Sequence, residues 1–314
     1  MTDGRANASH SRSKTSASPP YPPMNKSILL LPALLAASCG GSSEAGSRVV
    51  LQNKGSDTLV NVAQAWAENY KDVNPNVAIA VTGGGSGTGI SALINGTVDI
   101  ANASRKMKPK EIEAARANGV EPVEHVVGFD ALAVYLHKDN PIDSLTLSQL
   151  KAIYGEGGTI DEWPQLGTAV PGCGSDEIVR VSRQNNSGTY AYFKETVLGK
   201  SGEYKLGSRD MHGSKDVVDL VENTPCAIGY SGLAYANDHV KLVSIAFDET
   251  SSPVAPTVDS AINGSYPIAR PLLMYTAGEP EGEVKAYLDW LLSDEGQRVI
   301  LEKGYAPVRA LGGK

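Results

Sequence analysis

Three short segments of this chain combine glycine with small hydroxyl residues at places where backbone N–H groups lack partners. Gly55-Ser56-Asp57-Thr58 and Gly85-Ser86-Gly87-Thr88-Gly89 each follow a strand-like run and open a helical pattern. Ser187-Gly188-Thr189 follows the run around Val181 and precedes Tyr190-Ala191-Tyr192-Phe193. The first turn of a helix leaves N–H groups without intrahelical acceptors. Its dipole favours negative charge, and glycine lets a ligand come close to the backbone. One such Ser or Thr is ordinarily just a cap. Three of them on strand–helix units point to convergence on one small anion. Arg183, four residues before Ser187, offers a planar fork that matches an oxyanion, against the plain alternative of a surface salt bridge. Arg105, after Ala103-Ser104, carries the same two readings.

Other anion and nucleophile motifs fail by position. Gly84 and Gly89 have P-loop separation, but Ile90 stands where the lysine belongs. A nucleophile elbow around Ser86 fails at Thr88, which replaces its last glycine. Gly87, Gly89 and Ala92 satisfy a dinucleotide pattern, yet the next acidic residue, Asp99, comes too soon for the ribose contact, and the one after it is Glu111. No activated nucleophile, metal cluster or acid–base pair stands out, so the residues name no catalytic group. Five scattered His and three distant Cys (Cys39, Cys173, Cys226) lack zinc-ligand spacing, and no cofactor is implied.

The positioning elements must come from a chain of 314 residues, long enough for two domains. Its 41% apolar and 20% charged residues are a globular composition. A net charge of −7 leaves no electrostatic footprint for nucleic acid. No apolar run reaches the ~20 residues that span a bilayer.

Residues 1–38 read as a leader and signal peptide. Met24-Asn25-Lys26-Ser27 begins a basic n-region, which makes Met24 an alternative start to Met1, and Ile28 to Ala37 is a short apolar h-region. Leu35-Ala36-Ala37-Ser38-Cys39 resembles a bacterial lipoprotein box, departing from its commonest form at Ala36, so Cys39 is the expected lipidation site. Residues 39–47 read as a flexible tether. Removing 1–38 takes away four basic residues and one acidic, moving the net charge to −10. Export permits disulfides, and with Cys39 lipidated, Cys173 and Cys226 remain as an even pair. Their bridge is worth roughly 3–4 kcal/mol in the chain-entropy model.

Beyond the tether, strand-like and helix-like runs alternate, which argues for parallel sheets covered by helices. Val49-Val50-Leu51 precedes a helical pattern of Leu59, Val62, Ala63, Trp66 and Tyr70. Val77, Ile79 and Val81 alternate as a strand; Pro109 opens a helix; Val284, Tyr287, Leu288, Leu291 and Leu292 share a face of the last one. Two runs are unusual. Val126 to Leu136 is long for one strand and contains Asp130; Tyr266 to Tyr275 is of the same kind, with Pro267 and Pro271 inside. Two such runs suggest two lobes joined by a double hinge.

At these residues the chain resembles the substrate-binding proteins of bacterial phosphate ABC transporters. The resemblance rests on Gly-Ser-Asp-Thr-Leu (55–59), Gly-Gly-Gly-Ser-Gly-Thr-Gly (83–89), Asp-Ile-Ala-Asn-Ala-Ser-Arg (99–105), Gly-Phe-Asp-Ala-Leu-Ala-Val (128–134), Arg-x3-Ser-Gly-Thr (183–189) and Ala-Ile-Gly-Tyr (227–230). It implies an α/β, two-lobed clamshell like that of periplasmic binding proteins, each lobe a mainly parallel sheet flanked by helices. Lobe 1 is expected at 48–129 plus 268–314 and lobe 2 at 130–267. Carried over by position, Ser56, Thr58 and the Leu59 backbone bind phosphate from the first helix, and Ser86, Gly87 and Thr88 from the second loop. Ser104 and Arg105 flank them. Arg183, Ser187, Gly188 and Thr189 bind from the other lobe. Ser104 stands where some members carry an acceptor Asp, so that role falls to Asp130.

One carboxylate among many donors has a chemical use. Phosphate keeps a proton at neutral pH and sulfate does not, so Asp130 accepts a hydrogen bond from the first and faces a bare oxygen of the second. A buried acceptor left against an anion is strongly penalised, giving discrimination of roughly 10⁴. The plainer reading of Asp130 is a hinge residue bonded to backbone. The expected protein is a monomeric receptor, periplasmic or at the cell surface, held by a lipid anchor, delivering inorganic phosphate to a membrane ABC permease. Its rivals are a sulfate or molybdate receptor, a secreted hydrolase using Ser187 or Ser86, and an adhesion protein that retains the fold.

Overall fold

The alternation of patterns becomes an alternation of strands and helices in the computed structural model, which describes residues 48–311. The leader, Cys39 and the 39–47 tether lie outside those residues. In chain order the elements are β1 (Val49–Gly55), α1 (Val60–Val73), β2 (Val77–Thr82), α2 (Ser86–Ile94), β3 (Ile100–Ala103), α3 (Pro109–Ala117), β4 (Pro122–His137) and β5 (Ser144–Thr146). There follow α4 (Leu147–Tyr154), β6 (Val179–Arg183), α5 (Gly188–Phe193), β7 (Arg209–Met211), α6 (Ser214–Glu222), β8 (Ala227–Gly232), β9 (Val240–Ala246), α7 (Val258–Ile262), β10 (Ala269–Ala277), α8 (Gly282–Leu291) and α9 (Asp294–Glu302). Local chemistry sets several of these ends. Pro109 occupies the first turn of α3, and Thr146 caps α4 by accepting the Gln149 N–H at 3.1 Å.

The strands run in the order β2-β1-β3-β10-β4-β8-β6-β7, with β9 on β4 and β5 on β9. The outer strands pair in parallel, as the strand–helix alternation demands. The middle differs from expectation, because β10 and β4 run antiparallel to each other and to their other neighbours. Chain that returns from one half to the other re-enters from the far end, and so reverses direction.

Strand β4 is where the sheet changes partners. Its residues from Pro122 to Ala131 pair with β10, and those from Leu132 to His137 pair with β8 and β9. Its side chains divide the same way. Val127 packs in a core with Leu59, Trp66, Ile100, Leu272, Met274, Tyr287 and Ile300. Leu132, Val134 and Leu136 pack in another with Tyr154, Trp163, Phe193, Tyr230, Tyr266 and Ile268. The return segment divides between Ile268 and Leu272. Each half therefore has its own core, and two strands cross between them. Cys173 and Cys226 form a disulfide that closes a separation of 53 residues in the second half. At that length the chain-entropy model gives about 4 kcal/mol. Among the described residues no helix is long and apolar enough to cross a membrane.

Candidate functional site

The strand–helix turns of the first half face the loop between β6 and α5 of the second. Ser56 ends the turn after β1, Ser86 is the first residue of α2, and Ser104 follows β3; all three side chains are buried. The Ser56 hydroxyl donates to Ser104 Oγ at 3.0 Å, and Ser86 Oγ lies 3.4 Å from the same oxygen. The Ser104 N–H also donates to Ser86 Oγ at 3.0 Å. Gly188, from the other half, sits against this trio: a Cβ there would stand 2.2 Å from Ser86 Oγ and 2.5 Å from Ser104 Oγ. Only glycine allows that approach. Next to it, Thr189 Oγ1 meets Thr58 Oγ1 at 3.1 Å.

Arg270 completes the arrangement. It lies directly opposite Asp130 in the β10–β4 register. Its Nε and Nη2 donate to Asp130 Oδ2 at 3.0 and 2.8 Å, and neither side chain has any exposure. Nη2 also donates to Thr58 Oγ1 at 3.2 Å and Nη1 to the Ser104 carbonyl at 3.4 Å. The guanidinium lies 5.8 Å from the centre of the Tyr192 ring. Asp130 Oδ1 accepts the Leu233 N–H at 3.2 Å. Burial pushes the Asp130 carboxyl above its ordinary value, while Arg270 and the Leu233 N–H pull it back. Asp130 is thus a buried acceptor that bonds both the Leu233 backbone and Arg270.

Ser56, Thr58, Ser86, Ser104, Asp130, Gly188 and Thr189 therefore stand together, and Arg270 joins them unforeseen. Its signal was available: a charged residue inside an apolar run, the same feature that marked Asp130. Other expected residues lie nearby and have partners within the protein. Thr88 Oγ1 donates to the Gly84 carbonyl at 2.6 Å, within its own turn. The Leu59 N–H donates to the Ser56 carbonyl at 3.1 Å, and the Gly87 N–H to the Asn186 carbonyl at 3.0 Å. Ser187 Oγ accepts the Thr189 N–H at 3.1 Å and the Tyr190 N–H at 3.5 Å, so it caps α5. Arg105 is gripped by Glu111 through two bonds, at 2.8 and 2.7 Å. Burial alone would raise the Glu111 pKa, but the Arg105 and Lys108 contacts bring it below its ordinary value.

Arg183 is also engaged. Nη2 donates to Asp57 Oδ2 at 2.9 Å and to the His212 carbonyl at 2.7 Å, Nη1 to Ser214 Oγ at 3.0 Å, and Nε to the Met211 carbonyl at 3.3 Å. A cavity of about 870 Å³ opens beside the hydroxyl cluster, lined by its chain neighbours Arg105, Tyr190 and Pro271 together with Lys106, Lys108 and Lys200. Among the described residues no group of three His, Cys, Asp or Glu is placed to hold a metal ion.

What this arrangement offers is a buried cluster of hydroxyl donors where two halves meet, with one carboxylate and one guanidinium at its base. A PBP superfamily domain model matches residues 42–295. The chain is 38% identical over 272 residues to the phosphate-binding protein PstS of Pseudomonas aeruginosa, covering 83% of each. It is 32% identical over 302 residues to protein SphX of Synechococcus elongatus, covering 92% of this chain and 87% of that one. A crystal structure from Clostridium perfringens, of an ABC transporter substrate-binding protein with bound phosphate, superposes with a TM-score of 0.73 at 32% identity, over 83% of this chain and all of that one.

Proposed function

We infer the function from one premise: this chain belongs to the PBP superfamily and, within it, to the phosphate-binding proteins of the PstS group. It is a receptor that encloses inorganic phosphate between two lobes and delivers it to a membrane ABC permease. The observation that carries this reading is the contiguous set Ser56–Ser104–Ser86–Gly188 and Thr189–Thr58–Arg270–Asp130, drawn from both halves of the chain. Lobe 1 is assigned to 48–129 with 268–314 and lobe 2 to 130–267, so that Asp130 begins the crossing.

In the structure these hydroxyls bond one another. A tetraoxyanion replaces those bonds with charge-assisted ones, each worth about 1.5–3 kcal/mol. Ser56, Thr58, Ser86, Ser104 and Thr189 supply O–H donors, and Gly188 lets the second lobe close. Arg270 places a positive charge beneath the anion and holds Asp130 in position. Oδ1 of Asp130, which accepts the Leu233 N–H, has capacity to accept the phosphate proton as well. Sulfate and molybdate bring no such proton, which disfavours them. Hydrolysis is disfavoured as well: the side chains of His125, His137 and His212 engage Thr276, Asp139 and Gln184, none of them a site hydroxyl. The protein is read as a monomeric, non-enzymatic, extracytoplasmic receptor, anchored by lipid at Cys39.

Calorimetry with a panel of phosphate, arsenate, sulfate and molybdate tests this. Phosphate binding at micromolar affinity or tighter, with arsenate close behind, is the expected result. Tight sulfate binding without a phosphate response would reject it.

A further inference from the structure

The acidic residue of the first turn, Asp57, has no partner role in the reading above, and it is tied to both halves of the chain. Its Oδ1 accepts the Gly84 N–H at 2.8 Å within lobe 1. Its Oδ2 accepts Arg183 Nη2 at 2.9 Å, and its carbonyl accepts the Tyr235 hydroxyl at 2.6 Å; both donors belong to lobe 2. The ion pair is nearly closed to solvent, with 1% of the Arg183 side chain and 11% of the Asp57 side chain exposed. Around it the same two loops meet again, where Asn186 Nδ2 donates to the Gly84 carbonyl at 2.9 Å and the Asn186 carbonyl accepts the Gly87 N–H at 3.0 Å.

We propose that the Asp57–Arg183 ion pair is a latch between the lobes, which favours the closed form before phosphate arrives and slows its release afterwards. Asp57 is then a positioning residue, acting on the ligand through Arg183 and the 83–87 loop. The physical case rests on where the pair can be broken. Arg183 keeps Met211, His212 and Ser214 in lobe 2 whether the lobes are open or shut. Asp57 keeps Gly84 in lobe 1. Opening costs only the bonds that cross, and chief among these is the charged one. A ligand whose closed form is already populated loses less affinity to closure, so the latch raises affinity and lengthens residence. Were Asp57 instead a competitor that holds Arg183 away from the anion, its removal would tighten binding. The sign of the effect decides between the two.

This inference rests on the phosphate-receptor reading for its ligand, yet its first readout needs no ligand. Spin labels at exposed Lys71 and Lys215, one on each lobe, report the distance between lobes in the ligand-free protein. Asp57→Asn, which keeps an acceptor for Gly84, is expected to broaden and lengthen that distance. It is also expected to speed phosphate release about tenfold, the equivalent of one lost bond of ~1.4 kcal/mol. Tyr235→Phe, which removes a second crossing bond, moves both readouts the same way by less. An unchanged distance distribution in Asp57→Asn of normal melting temperature overturns the latch, as does slower or unchanged release. Absence of phosphate binding by the wild type would instead strike the receptor reading and leave the distance measurement standing.

Discussion

Two Asp–Arg pairs among the described residues are largely shielded from solvent, and they are built for opposite purposes. Asp130 and Arg270 face each other across neighbouring antiparallel strands, fully shielded, with a backbone ladder fixing their distance. Asp57 and Arg183 are held by separate scaffolds and meet only because the two halves are closed. The first pair cannot be parted without unfolding the crossing strands; the second parts whenever the lobes do. One side-chain chemistry thus supplies a fixed charged floor and a separable contact, and topology alone decides which.

The sharpest way to break this contrast is Arg270→Ala. Leaving the Asp130 carboxylate buried without its partner should cost about 3–5 kcal/mol. At 2–4 °C per kcal/mol for a chain of this size, the melting temperature falls by about 10 °C. A melting temperature within 2 °C of wild type would show that the floor is not fixed by this pair. Next in size is Asp130→Asn, which removes the acceptor for the phosphate proton. The preference for phosphate over sulfate should drop about 100-fold or more, judged by competition calorimetry; an unchanged ratio moves the acceptor role elsewhere.

Gly188→Ala acts on the separable side only. Its added methyl group meets Ser86 and Ser104 of the first lobe in the closed form, a clash that eases once the lobes part. Overpacking of roughly 1.5–3 kcal/mol weakens phosphate about 10- to 100-fold, while ligand-free stability stays put. Equal losses in affinity and in ligand-free stability would mean that the lobes do not separate. The smallest effect belongs to Thr88→Ala. Since its hydroxyl is spent on Gly84, phosphate affinity should change less than about twofold, within the ±0.5 kcal/mol of substitutions away from key contacts. A tenfold loss would restore Thr88 to the ligand.

What the sequence made legible was local. Glycine and hydroxyl residues at the ends of strands carry their meaning within five positions, so the turns at Ser56, Ser86 and Ser187 were readable at once. Asp130 was readable as a charge inside an apolar strand. Arg270 carries the same mark within Tyr266 to Tyr275, but its value depends on the register that sets it opposite a residue 140 positions away. The antiparallel centre of the sheet escaped notice for a related reason: strand–helix alternation describes each half, and nothing local says how chain returns between halves. Arg183 and Arg105 were visible as cations, but their engagement by Asp57 and Glu111 depends on three-dimensional neighbours. The short strands β5 and β7 and the helices α6, α7 and α9 were likewise missed, the strands being too brief to set up a period.

The central claim is that hydroxyl-bearing turns of both lobes close around one tetraoxyanion above the Asp130–Arg270 pair. Arsenate has the shape and protonation of phosphate and an anomalous X-ray signal, so a crystal grown with it locates the anion directly. The account predicts arsenic within hydrogen-bonding reach, through its oxygens, of Ser56, Thr58, Ser86 and Thr189 together. An arsenic peak in the cavity lined by Lys106, Lys108 and Lys200, with the hydroxyls still bonded to one another, would contradict it.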